Sequence, residues 1–256
     1  MISKNKAKFI LSLQKKSIRD ENHLFIIEGD KLVKEFLQSG TRLRFLAAKP
    51  DFIDSLLPEE KAIIDDIESV GFDDLKRISS LKTPHNALAV VPFPEYDADM
   101  DEILNNLCVA LDFIQDPGNL GTIIRAAAWF GIKDVVCSEN CVDVYNPKVI
   151  QASMGALLHV RVHYFNLRQF LGVALNNGLP VYGTMMNGES IYERKLENKG
   201  VILFGNESRG ISDDIIPLVS KKIMIPRFNN LKHGIDSLNV SMAASIIFSE
   251  FARRRN

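Results

Sequence analysis

The chain has 256 residues, of which 46% are hydrophobic and 25% are charged, and its formal net charge is -1. This balance is that of an ordinary soluble globular protein, long enough for one large domain or two small ones. A net charge near zero excludes a global polycation, so any contact with nucleic acid must come from local basic clusters.

The cysteines and the lengths of the apolar runs indicate in which cellular compartment the protein is expected. Cys108, Cys137 and Cys141 are an odd number with no CxxC pair and no matching histidine spacing, so we expect reduced thiols and no metal site. No apolar run approaches the roughly 20 residues of a membrane span, and the first residues lack the apolar core and cleavage site of a leader. We therefore expect a cytoplasmic protein with no membrane partner.

The first hundred residues alternate between helix and strand. Residues 4–14 have the apolar spacing of a helix, and the lysines in and around this stretch fit either a solvated helix face or contact with phosphates. Further strands and helices are predicted over residues 23–27, 30–39, 43–48, 56–67, 73–80 and 87–91. We therefore predict a small α/β domain over residues 1–94, followed by an acidic, proline-containing linker over 95–104.

The remainder, residues 105–256, repeats a pattern of strand, loop and helix. Strands are predicted over residues 107–112, 135–137, 160–164, 181–184, 201–204 and 222–225. The pattern indicates a mostly parallel sheet with helices on both faces, and the last helix, from Val240, has one fully apolar face. The dinucleotide fingerprint GxGxxG is absent, which disfavours a conventional hydride-transfer enzyme.

Residues 201–212, VILFGNESRGIS, combine a buried strand with a polar loop at its carboxyl end, where ligands bind in open α/β sheets. Gly205 and Gly210 have the spacing of a phosphate-binding P-loop, but Ile211 occupies the position of its lysine, which disfavours nucleoside triphosphate hydrolysis. An ordinary turn into a helix, with Ser212 as N-cap, is the structural alternative.

Two further strand ends carry more polar residues than a turn requires. In residues 115–125, QDPGNLGTIIR, Asn119 could cap a helix, whereas Arg125 interrupts an apolar helix and needs a partner or a cleft. The other stretch begins at Ile225 and Pro226 and reaches the last helix through residues 237–241.

Three of these stretches, DPGNLGTIIRAAAWFG, LFGNESRGIS, and IP followed by SLNVSMAASI, resemble the three motifs of the SpoU family of RNA ribose 2′-O-methyltransferases, within the SPOUT class. FIIEGDKLVKEFL and LKTPHNALAVV in the first domain resemble the small, ribosomal-protein-like substrate-binding domain of that family. The resemblance therefore covers both predicted domains.

The resemblance implies an α/β-knot domain, in which a deep trefoil knot holds S-adenosylmethionine, and a homodimer that completes the site. It implies that Gly205, Ile225, Ser237 and Leu238 of the motifs bind the cofactor, together with Thr184 on a neighbouring strand end. It also implies a catalytic set with no metal, namely Asn119, Arg125, Glu207 and Asn239. Residues 227–236, RFNNLKHGID, depart from the family pattern because this loop is longer than expected. With Arg227, Lys232 and His233 it could add RNA contacts or a lid.

The expected reaction is methyl transfer to a ribose 2′-hydroxyl, which separates RNA from DNA as a substrate. The three motifs contain no histidine, so by the resemblance Arg125 is the candidate that steers the hydroxyl proton. A guanidinium, with a pKa above about 12, is a poor base, so positioning of the phosphate or hydroxyl is the safer role. We expect ribosomal RNA as the substrate, with transfer RNA as a second candidate. The competing hypotheses are a non-catalytic RNA-binding or ribosome-assembly protein and a different nucleotide-dependent α/β enzyme.

Overall fold

A computed structural model describes residues 2–96, 99–228 and 237–254 of the chain. The α-helices, in chain order, are Lys4–Ser12 (α1), Lys16–Asn22 (α2), Asp30–Gln38 (α3), Pro50–Asp54 (α4), Pro58–Ala62 (α5), Phe72–Ile78 (α6), Met100–Leu104 (α7), Pro117–Trp129 (α8), Pro147–Ser153 (α9), Leu167–Asn176 (α10) and Val240–Arg253 (α11). The strands are Leu24–Glu28 (β1), Phe45–Ala48 (β2), Ile67–Ser69 (β3), Ala87–Pro92 (β4), Leu107–Leu111 (β5), Asp134–Ser138 (β6), Arg161–Phe165 (β7), Val181–Ser190 (β8), Gly200–Phe204 (β9) and Lys221–Met224 (β10).

The chain forms two compact units, and their boundaries differ from the predicted ones. The first unit comprises Met1–Glu95 with Asp143–Leu158, and the second comprises Tyr96–Val142 with His159–Asn256. The prediction had placed residues 143–158 in the second domain, but they carry Ile150 into the core of the first unit. The predicted linker over residues 95–104 contains α7, which buries Leu104 in the core of the second unit.

The first unit is built on a four-stranded mixed sheet with the order β1-β4-β2-β3. Strands β1 and β2 run antiparallel to β4, and β3 runs parallel to β2. Side chains alternate along β1, so that Phe25 packs with Phe36 of α3, whereas Ile26 packs in a second core with Ile10 of α1 and Leu75 of α6. Helices therefore cover both faces of this sheet.

The basic residues near the start of the chain are partly engaged by acidic partners within the first unit. Lys6 bridges Asp66 and Glu68, and the buried Arg19 pairs with Asp143, so these two cations are not free to bind phosphates. The exposed lysines of this cluster without an ion pair among the described residues are Lys4, Lys8 and Lys15. The hypothesis of phosphate contact is therefore left with those three lysines and with Lys16, whose pair with Asp20 lies at the exposed surface.

The second unit contains a six-stranded sheet with the order β10-β8-β9-β5-β6-β7. Every neighbouring pair in this sheet is parallel, which confirms the predicted mostly parallel architecture. Because the strands share one direction, their carboxyl ends lie along a single edge of the sheet. The motifs identified in the sequence follow these carboxyl ends, so the sheet directs them to a common edge.

Helices cover both faces of this sheet. On one face Leu203 of β9 packs in a core with Phe170 of α10. On the other face the neighbouring Phe204 makes an edge contact with Phe248 of α11, with ring centroids 5.8 Å apart. The apolar face predicted for the last helix is thereby confirmed, since Phe248 and Phe251 are almost completely buried.

Two local expectations in the second unit were wrong. Residues 205–220 contain no α-helix after β9 but only the short 3-10 turn Ile216–Leu218, so Ser212 is not a helix cap. Strand β8 extends to Ser190 instead of ending at Thr184, because it resumes pairing with β10 after an irregularity over residues 184–188. No pattern in the sequence indicates this resumption, since residues 184–188 do not alternate between apolar and polar.

Candidate functional site

The carboxyl edge of the six-stranded sheet brings together polar side chains from three distant parts of the chain. Asn119 lies in α8, which follows β5, and Glu207 lies in the loop that follows β9. Asn239 immediately precedes α11. The sequence predicted that these three residues share a site, and the structure brings them into hydrogen-bonding contact.

Asn119 is at the centre of this cluster. Its side-chain Nδ2 donates a hydrogen bond to Oε1 of Glu207, and its Oδ1 accepts one from Nδ2 of Asn239 at 2.9 Å. Asn119 is half-buried, whereas Glu207 and Asn239 are exposed. The cluster therefore links three segments of the chain and still presents polar atoms to a ligand.

The start of α8 explains why the Asn119 side chain is available. Asn119 was expected as a helix N-cap, but the helix begins earlier, at Pro117, and Asp116 caps it by accepting the Asn119 backbone N–H at 2.8 Å. Proline at the first helical position and aspartate before it are both favoured at helix starts. Because Asp116 makes the cap, the Asn119 side chain can bond Glu207 and Asn239.

Asn239 has two tasks at once. Its Oδ1 caps α11 by accepting hydrogen bonds from the Ser241 backbone N–H at 3.0 Å and from Ser241 Oγ at 2.6 Å. Its Nδ2 is then left to donate to Asn119. The start of the last helix is in this way fixed relative to α8.

The loop over residues 205–210 is closed on itself. Asn206 and Gly210 exchange two backbone hydrogen bonds, of 2.9 and 2.8 Å, and Gly210 has a positive φ of 72°. A Cβ at Gly205 would lie 2.2 Å from the Gly210 carbonyl carbon, so only glycine fits there. The compact, self-paired loop, together with Ile211 in place of the P-loop lysine, does not provide the open phosphate cradle of a P-loop.

Phe113 is a residue of this edge that the sequence did not identify. It follows β5 with φ 60°, a conformation uncommon for a bulky side chain. Its backbone N–H donates to Ser138 Oγ at 3.0 Å, and its carbonyl accepts from Asn206 Nδ2 at 2.9 Å. These two bonds hold a strained residue at the strand end, as is common at functional sites.

Cys141 lies beneath the same strand end. Its buried sulfur accepts a hydrogen bond from the Ile114 backbone N–H at 3.2 Å. A hydrogen bond from the Cys137 thiol lowers the pKa of Cys141 to about 7, although burial acts in the opposite direction. The sulfur therefore supports the segment between β5 and α8 from the inside.

Arg125 lies in α8, about 1.7 turns beyond Asn119. Its side chain is exposed and makes no hydrogen bond or ion pair with the part of the chain that the structure describes. The expected partner is therefore not found among the described residues, because solvent reaches the guanidinium. Arg125 is not part of the hydrogen-bonded cluster of Asn119, Glu207 and Asn239.

The predicted cofactor residues follow strands that are neighbours in the sheet. Gly205 follows β9. Thr184 lies within β8, directly after the part of that strand that pairs with β9. Ile225 follows β10 and is half-buried, whereas Ser237 and Leu238, just before α11, are exposed. Leu238 exposes 45% of its surface, so the edge offers apolar as well as polar groups to a ligand.

Residues 229–236, including Lys232 and His233 of the long loop, lie outside the described residues. Among the described residues no group of three or more His, Cys, Asp or Glu side chains could hold a metal ion. In the same part of the chain no helix has both the length and the apolar character needed to cross a membrane.

Comparison with known families accounts for nearly the whole chain. Residues 106–249 match the model of the SpoU rRNA Methylase family, and residues 4–89 match that of the MRM3-like substrate binding domain. The 23S rRNA (guanosine(2553)-2'-O)-methyltransferase RlmP of Bacillus subtilis (strain 168) is 29% identical over 243 residues, which cover 92% of this chain and 91% of that protein.

Solved structures show the same similarity. A structure from Porphyromonas gingivalis, assigned to the TrmH family of RNA methyltransferases, superposes with a TM-score of 0.88 at 35% identity and covers 99% of both chains. An AdoMet-bound rRNA methyltransferase from Sinorhizobium meliloti has a TM-score of 0.83 at 25% identity and covers 100% of this chain and 97% of that one.

Proposed function

The chain belongs to the SpoU rRNA Methylase family, and from this premise we propose that it transfers a methyl group from S-adenosylmethionine to a ribose 2′-hydroxyl of RNA. The observation that carries the proposal is the hydrogen-bonded cluster of Asn119, Glu207 and Asn239, which joins all three family motifs at one sheet edge. Ribosomal RNA is the proposed substrate, because a relative that matches over almost its whole length is named as a 23S rRNA 2′-O-methyltransferase.

S-adenosylmethionine supplies an activated methyl group on a sulfonium. The residues proposed to hold it are those at the ends of β9, β8 and β10 and before α11, namely Gly205, Thr184, Ile225, Ser237 and Leu238. The half-buried Ile225 and the exposed Leu238 suit the apolar face of an adenosyl group, while backbone groups at the strand ends suit its polar edge. The trefoil knot implied by the resemblance is part of the same proposal.

Arg125 is proposed as the residue that positions the ribose hydroxyl and a neighbouring phosphate. Its exposed guanidinium has no partner among the described residues, so its donors are available to an anionic ligand. Asn119, Glu207 and Asn239 are proposed to fix the geometry in which the hydroxyl approaches the methyl carbon. Alignment of this kind supplies a large part of the rate in an in-line displacement.

A homodimer is also part of the proposal. Trp129, one turn beyond Arg125 on α8, exposes 84% of its surface, and Met242 on α11 exposes 58%. Exposed apolar side chains on neighbouring helices favour a protein interface, which would place Arg125 beside a second copy of the chain. The proposed enzyme acts in the cytoplasm on RNA, and not on DNA, because its target is the 2′-hydroxyl.

The experiment incubates the purified protein with tritiated S-adenosylmethionine and total RNA from cells that lack the gene. We expect incorporation at one 2′-O position, and no incorporation into RNA from cells that keep the gene, because that position is already methylated. Binding of this RNA without any incorporation would instead support the non-catalytic RNA-binding or assembly protein.

The role of Arg125 is tested in single-turnover assays of Arg125→Ala. We expect a rate at least about 100-fold lower, the scale of effect seen when a group that positions or transfers a proton is lost. Lys199→Ala, which removes an exposed positive charge just before β9 at the opposite edge of the sheet, is the control for a general loss of charge. An Arg125→Ala protein that keeps most of its single-turnover rate would contradict the assignment.

A further inference from the structure

A polar cleft of about 330 Å³ opens at the carboxyl ends of β5, β6 and β7. Residues at or directly after the ends of these strands line it, and its remaining wall comes from residues 206–215, which follow β9. The proposed cofactor residues follow β9, β8 and β10, which occupy the other half of the sheet. The cleft is therefore separate from the proposed cofactor site and lies on the opposite side of the loop over residues 205–212.

The lining combines an aromatic ring with guanidinium and amide groups. The guanidinium carbon of Arg209 lies 5.5 Å from the centroid of the Phe113 ring. Arg168, in the first turn of α10, donates one hydrogen bond to the Asp214 carbonyl at 2.9 Å and is otherwise exposed to the cleft. Aromatic rings and arginine planes stack on unpaired RNA bases, and guanidinium groups bind phosphates in a bidentate manner.

Two hydrogen bonds fix the backbone of Phe113, from which the ring extends. The N–H and the carbonyl of this residue are each bonded, to Ser138 Oγ at 3.0 Å and to Asn206 Nδ2 at 2.9 Å, with φ at 60°. Asn206 and Ser138 themselves line the cleft. Because this backbone is already ordered before RNA binds, it loses little conformational freedom when a base stacks on the ring.

The acidic groups of the cleft do not make it a cation site. Asp112 is buried, and its Oδ2 accepts the Ser212 backbone N–H at 2.7 Å. Glu139 and Asp214 are exposed, and the described residues contain no cluster of ligands for a metal ion. Carboxylates and amides beside guanidinium groups suit a ligand with both donors and negative charge, as a ribonucleotide has. The volume is that of a small-ligand pocket, which starts at about 300 Å³.

We propose that this cleft binds one nucleotide of the RNA strand next to the nucleotide that is methylated, with its base on Phe113 and Arg209 and its phosphate at Arg168. The inference rests on the proposed function, because it takes RNA as the substrate. It is carried by the loop over residues 205–212, which presents Glu207 to the cluster of Asn119 and Asn239 and Arg209 to the cleft. One strand can therefore reach both sides of the loop.

The first test measures the affinity of the full-length protein for an in vitro transcript of the large-subunit ribosomal RNA over a series of salt concentrations. We expect Arg168→Met to bind about tenfold more weakly and to lower the slope of log affinity against log salt by about 1, the effect of one lost phosphate contact. Lys199→Met removes the same charge before β9, at the opposite edge of the sheet, and should leave affinity and slope unchanged.

The second test removes the ring. Phe113→Leu should weaken RNA binding about tenfold without changing the salt slope, because stacking carries no phosphate charge. Ultraviolet cross-linking of the wild-type complex should attach RNA to the peptide that contains Phe113. Thermal unfolding and binding of S-adenosylmethionine by both variants serve as controls for folding and for the cofactor site.

Wild-type affinity and salt slope in both folded variants, without a cross-link at Phe113, would overturn the proposal of the cleft while leaving methyl transfer untouched. If the wild-type protein binds this RNA but transfers no methyl group, the proposed function fails. The difference between Arg168→Met and Lys199→Met would still decide whether the cleft contacts RNA.

Discussion

The two edges of the parallel sheet in the second unit carry different kinds of polar cluster. At the amino edge, both carboxylate oxygens of the buried Asp134 accept hydrogen bonds from Arg161, at 2.8 and 3.0 Å, and His163 Nε2 lies 3.0 Å from the first oxygen. At the carboxyl edge, Asn119 bonds Glu207 and Asn239 where solvent reaches all three. The first arrangement satisfies a buried charge, whereas the second leaves hydrogen-bonding capacity for a ligand.

This difference predicts which property each edge controls. A charge that loses its partner in the protein interior costs several kcal/mol, whereas an exposed polar side chain contributes little to stability. Substitutions at the amino edge should therefore lower stability and spare the reaction. Substitutions at the carboxyl edge should slow the reaction and spare stability, except where the residue also caps a helix.

Asp134→Ala should give the largest effect on stability. It leaves Arg161 and His163 without their carboxylate, and because Arg161 is partly exposed we expect a loss of about 3 kcal/mol in the free energy of unfolding, at the lower end for a broken buried pair. Urea unfolding measures this loss, and methyl transfer per folded molecule should stay at the wild-type level.

Glu102→Ala is the matched control, because Glu102 pairs with the same Arg161 from an exposed position. Its loss should cost less than about 1 kcal/mol. Equal losses in the two variants would show that burial does not distinguish the partners of Arg161.

Glu207→Ala should give a comparable effect on the reaction instead. Removing the acceptor of the Asn119 amide should lower the methyl transfer rate about 100-fold, which corresponds to about 2.7 kcal/mol in the barrier. The free energy of unfolding should change by less than about 0.5 kcal/mol, because Glu207 is exposed. Glu193→Ala, at another exposed glutamate of the same unit, should change neither quantity, and an equal loss of rate in that variant would contradict the comparison.

The carboxyl edge could be predicted from the sequence because its signals are local. Apolar runs gave the strands of the second unit, and polar residues directly after them indicated the loops that meet there. The hydrogen bonds among Asn119, Glu207 and Asn239 could not be predicted in detail, since they depend on where α8 begins and hence on the cap by Asp116.

No local pattern in the sequence predicted the polar cluster at the amino edge. Asp134 and Arg161 are adjacent only because β6 and β7 pair in this register, and no spacing along the sequence reports that pairing. The same reason explains why residues 143–158 were placed in the wrong unit: their apolar side chains fit any core, and only the tertiary contacts assign them to the first one. Phe113 gave no signal either, because a positive φ at a phenylalanine leaves no mark in composition or periodicity.

Asn239 combines a cap and a site contact, and two substitutions separate them. Asn239→Asp keeps the oxygen that caps α11 but loses the donor to Asn119, so we expect about tenfold slower methyl transfer and unchanged stability. Asn239→Ala loses both and should also lower the free energy of unfolding by about 1 kcal/mol, the usual value of an N-cap. Equal stability losses in the two variants would show that the cap contributes nothing.

The smallest expected effect is the pH dependence of stability at the amino edge. Burial raises the pKa of Asp134, but the hydrogen bonds from His163 and Arg161 outweigh it and leave the pKa lower than that of an unfolded chain. A lowered pKa means that the stabilisation is complete above the unfolded value, about 4, and is lost as the pH falls through the folded value. The gap in urea midpoint between the wild type and Asp134→Ala should therefore be constant near neutral pH and narrow below about pH 4. The difference in urea midpoint between the wild type and Glu207→Ala should stay small at every pH. A difference for Asp134→Ala that stays constant down to strongly acidic pH would show that the Asp134 carboxylate does not stabilise the fold through these partners.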